Sequence, residues 1–509
     1  MARTWNIGRS TDHINTRLKE VEKVDIVEYI RDMTLENIPS NKAYKVDGVH
    51  LYADILNLDE MLNVTQEEGE ICHKRTLRFL NLHYRAVNRI LDRTNARRVD
   101  FHNQRLHALV AKPYNGEKDS EAMRVHRAVA IGQLIIDVLR QTGESDERIP
   151  NASVRVGIDS GKALAVNNGR RGNREPLFLG EPANQAAKIA AGKTEGIYLT
   201  NNARRALGLK EVNDPKQTPM TSEEIAESQK KAELEVKAET IVKEWKDDLE
   251  KNPIGAFVFS RHTPPFRTMD IDILTPGNSR RQEACSVYAD IDGFTAYVKQ
   301  HIDDNPEDVV RTLHVIRSEL ERTLTSDFDG RRIRFIGDCL HGLLCEGSVQ
   351  TTDEEETIST ATLCAGGLRS SFDNAIAILK ENKVSVGKLG LAIGFELGPI
   401  TVTRLGIQGD RVRCSVSRGV LVAEDEQKRC DGKETAIGKG AYKKASEAVQ
   451  DLFTEERKKR NLDYNEAVEA LSKKRDKKAQ DAKTAAFSTA PAAIIRSTQV
   501  NLQPHAKGV

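Results

Sequence analysis

The chain has 509 residues and a formal net charge of +1, from 77 basic and 76 acidic side chains. At roughly 100–200 residues per domain, this length indicates two or three domains, and the balanced charge argues against a dominant nucleic-acid-binding surface. Seven scattered cysteines without a Cys-x-x-Cys pair argue against a disulfide framework or a zinc cage.

The N-terminal segment 1–17 is polar and has no apolar core of signal-peptide length. No apolar run approaches the ~20 residues that span a bilayer. We therefore expect a soluble, cytoplasmic protein that binds neither membrane nor nucleic acid.

The most informative feature of the sequence is an internal repeat. Three segments recur in the same order about 235 residues later, and each pair shares its apolar pattern: 49–55 with 285–291, 101–109 with 335–343, and 154–158 with 391–395. Three matches at a nearly constant separation indicate two copies of one domain.

Each copy has the same predicted order of elements. A strand precedes a helix (306–324 in the second copy), then come a strand pair after the Asp329-Gly330 turn, a second helix and another strand pair. This order predicts an α+β fold with a ferredoxin-like βαββαβ core in each copy. The predicted division of the chain is an N-terminal extension (1–44), a first domain (45–210), a helical linker (211–283), a second domain (284–450) and a charged helix with a disordered tail (451–509).

Within the linker, the Lys- and Glu-rich stretch from Thr221 to Asn252 predicts a connector helix, with Thr221 and Glu224 in a capping box and Pro253 beyond its end. Five apolar side chains form one stripe, which favours packing on a domain over recruitment of a partner: Leu234, Ala238, Ile241, Trp245 and Leu249. Near the C-terminus we expect a charged helix over 451–483 and disorder over 484–509. The Lys-rich run 473–483 is more typical of a solvated helix face than of a nucleic-acid patch.

Two aspartates of the second copy are candidate metal ligands. Asp290 closes a predicted strand, and Asp338 lies on a predicted hairpin beside it. Paired carboxylates near phosphate are the usual ligands of Mg²⁺ or Mn²⁺, whereas a lone loop aspartate is more commonly a turn residue or a helix cap. The turn through Gly293, Phe294 and Thr295 leads straight into a helix, so its N–H groups suit phosphate.

The segments 288–295 and 335–338 resemble the metal-binding signature of class III nucleotidyl cyclases. The resemblance extends over both copies and implies two tandem cyclase domains that form a pseudo-heterodimer with the active site between them. It implies two metal ions, Mn²⁺ or Mg²⁺, held by Asp290, Asp338 and the Ile291 carbonyl. It also implies that a ribonucleoside triphosphate becomes a 3′,5′-cyclic nucleotide.

The first copy resembles the complementary face of that active site. Residues 177–188 resemble the family's Gly-x-x-x-Asn-x-Ala-x-Arg helix, with Asn184 as the ribose-orienting residue and Lys188 in place of the usual Arg. The two are four apart and face one side of a helix, a spacing that is also common on any solvated helix.

Each copy lacks what the other retains. Gln104 stands where the first copy would have its second metal aspartate, so Asp54 is alone, and the segment 417–424 has no matching Asn or cation. One competent site and one defunct site are the simplest interpretation. The two faces could meet within one chain or across a head-to-tail homodimer, and we expect a homodimer.

Base selection departs from the adenine pattern of the family. Adenylate-forming members have a Lys four residues before the second metal position and an Asp on the late hairpin, and the matching residues here are Asp100 and Leu177. An ionised Asp only accepts hydrogen bonds, so it suits N–H donors of uracil, cytosine or guanine. A strand-end turn residue is the alternative for Asp100.

The layout resembles the pyrimidine cyclases of bacterial Pycsar anti-phage systems. That resemblance implies UTP as substrate, cyclic UMP as product, a preference for Mn²⁺, and a separate cyclic-nucleotide-gated effector in antiviral defence. CTP as the substrate, an ordinary adenylate or guanylate cyclase, and a catalytically dead nucleotide-binding regulator remain open alternatives. The basic stretch 168–172 fits a triphosphate contact or an exposed hairpin tip.

Overall fold

The computed structural model describes residues 4–31, 33–114, 119–143, 149–167 and 176–489. Two β-sheets form its centre, and each is built from one copy of the repeat. The strands of the first sheet are β1 (Asp25–Glu28), β2 (Lys42–Ile55), β3 (Arg97–His102), β4 (Arg105–Val110), β5 (Val154–Val166), β6 (Leu177–Leu179) and β7 (Gly196–Leu199). The strands of the second sheet are β8 (Phe259–Ser260), β9 (Ser279–Asp292), β10 (Arg331–Ile336), β11 (Cys339–Leu344), β12 (Gly390–Leu405), β13 (Val412–Val416), β14 (Glu434–Ile437) and β15 (Lys458–Arg460).

Helices accompany both sheets. The first half contains α1 (Ile7–Glu20), α2 (Leu58–Leu62), α3 (Glu70–Thr94), α4 (Ser120–Leu139), α5 (Glu181–Ala190), α6 (Asn201–Ala206), α7 (Ser222–Ala232) and α8 (Ala238–Lys251). The second half contains α9 (Phe294–His301), α10 (Pro306–Arg322) with a π-helical turn (Thr323–Asp327), α11 (Glu354–Glu381), α12 (Arg418–Lys428), α13 (Lys439–Lys444), α14 (Glu447–Leu452), α15 (Tyr464–Lys473) and α16 (Lys477–Thr489).

The two sheets share one topology. The first has the order β3-β4-β2-β5, with β6 antiparallel and β7 parallel to β5. The second has the order β10-β11-β9-β12, with β13 antiparallel and β14 parallel to β12. The predicted order of elements is therefore present twice, and the second sheet gains β15 beside β14.

Each half has a hairpin late in its sequence, β5–β6 in the first half and β12–β13 in the second, and the end of each hairpin packs in the core of the other half. Leu405, Val412 and Cys414 from the second half lie in the apolar core of the first. Leu164 and Leu179 from the first half lie in the core of the second. Because each hairpin end is buried among residues of the other half, apolar burial holds the two halves together.

The N-terminal extension packs on the second half although it precedes the first. Helix α1 lies against α10 and α11 with Ile14 fully buried. Arg9 Nη1 lies 2.7 Å from Glu319 Oε1, and Trp5 Nε1 donates to Ser371 Oγ at 2.7 Å. Strand β1 then joins the first sheet in parallel with β2. The extension thus contacts both halves.

The connector consists of two helices, so the single helix predicted over 221–252 is wrong. Glu233 adopts a left-handed conformation with φ of 44°, which ends α7 before α8 begins. The capping box of Thr221 and Glu224 is confirmed. Trp245 is fully buried and donates to the Leu82 carbonyl at 3.1 Å, so the connector packs on the first half as expected.

The single charged helix predicted over 451–483 is also wrong. Strand β15 intervenes, and α15 and α16 bury Leu471 and Ala479 against the second half. Helix α16 continues to Thr489, which corrects the predicted disorder over 484–489, whereas 490–509 and the basic stretch 168–172 lie outside the described residues. Across the described ranges, no helix is long and apolar enough to cross a membrane.

Candidate active site

Strand pairing brings the two candidate metal ligands to one end of the second sheet. Strand β9 lies between β11 and β12, with Asp290 opposite Ala392 and beside Cys339. Asp338 lies in the tight turn between β10 and β11, after Gly337 with φ of 62°. The antiparallel register of β9 and β11 places this turn next to the end of β9.

The two carboxylates influence each other electrostatically. Burial and the neighbouring Asp292 carboxylate raise the pKa of Asp290. Burial and Asp290 raise the pKa of Asp338 well above its usual range, and Arg317 offsets part of this. Two carboxylates that repel each other in this way suit a hard divalent cation. A bound cation would remove the repulsion that raises their pKa values and favours their protonated forms. In the described part of the chain no group of three or more His, Cys, Asp or Glu side chains converges, so further ligands would come from the backbone, substrate or water.

Helix α5 of the first half faces this end of the second sheet. Asn184 Nδ2 donates to Thr295 Oγ1 at 3.1 Å, and Lys299 Nζ lies 2.9 Å from Glu181 Oε1. Thr295 belongs to the first turn of α9, which begins after Gly293 with φ of 81°. The two faces therefore lie against each other within this chain.

A cavity of about 200 Å³ lies where the halves meet. Four of the predicted residues line it together: Asp100, Leu177, Asn184 and Asp338. Its aromatic wall includes Tyr52, whose ring stacks on His107 with centroids 4.1 Å apart. The cavity, called the catalytic cleft below after its predicted role, joins Asp338 to the predicted base-selecting and ribose-orienting residues, whereas Asp290 and Ile291 do not line it.

Lys188 lies outside that lining. It is one turn beyond Asn184 on α5 and lines a neighbouring cavity of about 1000 Å³ together with Lys162, Lys216 and Lys299. This neighbouring cavity adjoins the end of α9 through Lys299, whereas Gly293, Phe294 and Thr295 lie at the start of that helix and do not line it. Four carboxylates balance the four lysines of its lining: Asp159, Glu181, Asp214 and Asp303. The structure thus separates Lys188 from the cleft.

Sequence reasoning missed an arginine that neutralises Asp54 in the defunct site. Arg105 Nε lies 3.1 Å from both carboxylate oxygens of Asp54. Burial raises the pKa of Asp54 and Arg105 opposes that shift. The charges of Glu424 and Lys428 also act on Asp54, and Lys428 Nζ lies 2.7 Å from Glu424 Oε1. The sequence did contain a signal for this pair. The first copy has the amide of Gln104 where the second copy has a carboxylate, and the cationic Arg105 follows it directly.

A second missed residue holds Asp100. Arg334 Nη1 lies 3.0 Å from Asp100 Oδ1, and Arg334 also donates to the carbonyls of Phe101 and Arg413. The Arg334 side chain is 4% exposed, whereas that of Asp100 is 33% exposed. One oxygen of Asp100 is therefore paired, and the carboxylate still lines the cleft.

Two sheets of equal topology that close on one carboxylate-bearing cleft define a class III nucleotide cyclase fold. A crystal structure of a class III adenylyl cyclase-like ATP-binding protein from Pseudomonas aeruginosa is 61% identical, with a TM-score of 0.91 over 92% of this chain and 100% of that chain. No family model matches the sequence.

Two curated relatives define the family more closely. A uridylate cyclase of Pseudomonas aeruginosa is 59% identical over 508 residues, 100% of this chain and 99% of the relative. A uridylate cyclase of Rhizobium sp. is 39% identical over 436 residues, 82% of each chain. The chain belongs to the uridylate cyclase family.

Proposed function

We propose that this chain converts UTP to 3′,5′-cyclic UMP and pyrophosphate. The observation that carries the proposal is the catalytic cleft, in which Asp338 of the second half faces Asn184 and Asp100 of the first. Family membership supports uridylate as the product. The functional units are the tandem domains 45–210 and 284–450, which act as a pseudo-heterodimer.

The acidic face would hold two divalent ions, Mn²⁺ or Mg²⁺, through Asp290, Asp338 and the Ile291 carbonyl. Bound there, the ions would lower the pKa of the ribose 3′ hydroxyl and neutralise charge on the leaving pyrophosphate. The N–H groups at the start of α9, from Gly293 to Thr295, bind phosphate oxygens.

The opposite face positions the nucleotide. Asn184 exchanges its hydrogen bond with Thr295 for one to the ribose and aligns the 3′ oxygen with the α-phosphorus. Lys188 extends from the neighbouring cavity toward the α-phosphate and offsets the charge that grows there. Because Lys188 does not line the cleft, this role requires its flexible side chain to move when the triphosphate binds.

Asp100 and Leu177 select the base. The carboxylate of Asp100 accepts a hydrogen bond from uracil N3–H, and Arg334 holds it at the wall of the cleft. Leu177 supplies apolar contact where adenylate-forming members have an Asp. The narrow cleft of about 200 Å³ and its aromatic wall favour a small base.

In the cell, we propose that the product is a second messenger in antiviral defence, read by a separate cyclic-nucleotide-gated effector. A homodimer is part of the proposal. The lining of the cleft by both halves of one chain supports the further proposal that catalysis does not depend on a second copy.

The decisive assay incubates purified protein with Mn²⁺ and each of the four ribonucleoside triphosphates, and identifies products by mass spectrometry. Cyclic UMP as the main product supports the proposal. ATP is an essential arm because the solved relative is described as ATP-binding. Cyclic AMP as the main product, or nucleotide binding without any product, would replace the proposal with an adenylate cyclase or a catalytically dead regulator.

A further inference from the structure

A second cavity, of about 610 Å³, lies behind the catalytic cleft. Helix α1 and the segment 37–40 of the N-terminal extension form one wall, and α10 of the second half forms the other. The volume falls within the roughly 300–1,000 Å³ of small-molecule sites. The proposed reaction uses neither α1 nor this cavity, which we call the rear cavity.

Basic groups outnumber acidic ones on its lining. Three arginines, two histidines and the single carboxylate Glu321 line it: Arg17, Arg317, Arg322, His13 and His314. Burial lowers the pKa of His314, and His13 Nδ1 lies 2.7 Å from Glu319 Oε2, so the arginines carry the positive charge of the lining. Glu20, just outside, pairs with Arg17 at 2.6 Å and with His314 at 3.0 Å. Arg322 is exposed, and its charge acts on the carboxylate of Asp327, which Arg9 already pairs. The surplus of positive charge favours an anion.

The remaining lining combines hydroxyl groups with apolar side chains. Ser318, Thr325 and Ser326 provide hydroxyls near the arginines, and Ile38 and Leu313 provide apolar surface. Arginines and hydroxyls are the usual partners of phosphate oxygens, whereas the apolar wall suits a planar organic group. This lining is suited to a phosphate attached to a ring system.

Two residues connect the rear cavity with the catalytic cleft. Arg317 and Phe335 line both cavities. The Arg317 guanidinium lies 3.8 Å from the centroid of the Phe335 ring, and the residue is 4% exposed. Arg317 and Phe335 therefore form a partition between the two cavities, beside Asp338. A ligand in the rear cavity that contacts Arg317 acts on this partition.

We propose that the rear cavity binds a phosphorylated small molecule of nucleotide size, separately from the substrate, and that its binding alters turnover. The ligand would join α1 to α10 and fix the Arg317–Phe335 partition. The binding site is independent of the proposed reaction, since it shares only this partition with the catalytic cleft.

Isothermal titration of the full chain with AMP, without divalent metal, tests the binding directly. We expect Arg322→Glu to weaken AMP binding by about tenfold, the loss expected for one charge-assisted hydrogen bond. Ser318→Trp, which fills the rear cavity, should abolish it. Arg205→Glu is the matched control, because Arg205 is an exposed arginine on α6, away from the cavity.

Leu177→Trp, which fills the catalytic cleft, should leave AMP binding intact. Loss of AMP binding in this variant but not in Ser318→Trp would place AMP in the cleft and overturn the proposal, as would absence of AMP binding to the wild type. Inorganic phosphate is the second probe. Equal affinity for phosphate and AMP would overturn the nucleotide-sized ligand, whereas clearly tighter AMP binding supports it.

Discussion

The guanidinium of Arg334 donates to the carboxylate of Asp100 across 3.0 Å, and the two residues occupy the same position in the two repeats. Each lies four residues before the hairpin-turn position held by Asp338 in one half and Gln104 in the other. The pair therefore joins equivalent strands of the two sheets and places a carboxylate at the wall of the catalytic cleft.

Asp100→Asn should weaken discrimination between UTP and CTP. The amide that replaces the carboxylate can donate as well as accept, so it pairs with cytosine N3 as readily as with uracil N3–H. We expect the ratio of kcat/KM values for UTP over CTP to fall by about tenfold, the scale of one hydrogen bond to a charged group. An unchanged ratio, measured with both substrates under identical Mn²⁺, would remove Asp100 from base selection.

Asp338→Asn and Asp290→Asn should each reduce product formation below detection while folding is retained. The amide keeps the shape of the side chain but binds a hard divalent cation poorly. Asp54→Asn is the matched control, because Asp54 is the repeat equivalent of Asp290. The guanidinium of Arg105, and not a metal ion, is the cation that Asp54 pairs with. We expect the control to keep wild-type kcat and to lose a modest amount of stability; loss of turnover in it would contradict the assignment of one competent site.

Lys188→Ala should lower kcat by about 10²–10³, the effect of removing one group that stabilises transition-state charge. KM for UTP should change less, since the charge on the α-phosphate grows after binding. Lys193→Ala, an exposed lysine just beyond α5, is the control and should behave as wild type. A pure KM effect in Lys188→Ala would assign the lysine to ground-state binding of the triphosphate.

Asp327 should contribute a decrease in stability as pH rises from about 4 to 7. Burial raises the pKa of Asp327 to about 7, and Arg9 of α1 offsets only part of this. Between the ordinary carboxyl value of about 4 and pH 7, the native state binds more protons at this residue than the unfolded state, so the free energy of unfolding falls over that window.

Urea unfolding at several pH values should show that Asp327→Asn flattens the dependence and is more stable than wild type above pH 7. Asp247→Asn, an exposed carboxylate on α8, should leave the profile unchanged. If wild type and Asp327→Asn lose stability in parallel, Asp327 is not the titrating group.

Local sequence patterns predicted the parts of the site that depend on a strand end, a tight turn or a helix. Asp290 lies two residues before the end of β9, Asp338 lies in the β10–β11 turn and Asn184 faces the second half from α5. Ion pairs between distant segments have no comparable signal. The pairing of Arg334 with Asp100 depends on how the two sheets dock, and the spacing of apolar residues in the sequence does not indicate how they dock.

Docking of segments far apart in the chain escaped prediction for the same reason. Helix α1 carries Arg9 to Glu319 of the second half, although three hundred or so residues separate them. In the connector, Glu233 in the left-handed region divides a stretch whose propensity is helical throughout. Tertiary contacts overrode propensity there, as they commonly do.

Mixing two inactive chains tests the central claim, that one chain supplies both faces of one site. Asp338→Asn removes the acidic face and Asn184→Ala removes the ribose-orienting face, so each purified variant should be inactive with UTP and Mn²⁺. Because both faces meet within one chain, the mixture should also form no cyclic UMP after co-refolding or prolonged incubation. Recovery of cyclic UMP synthesis in the mixture would show that the competent site forms between chains and would contradict this account.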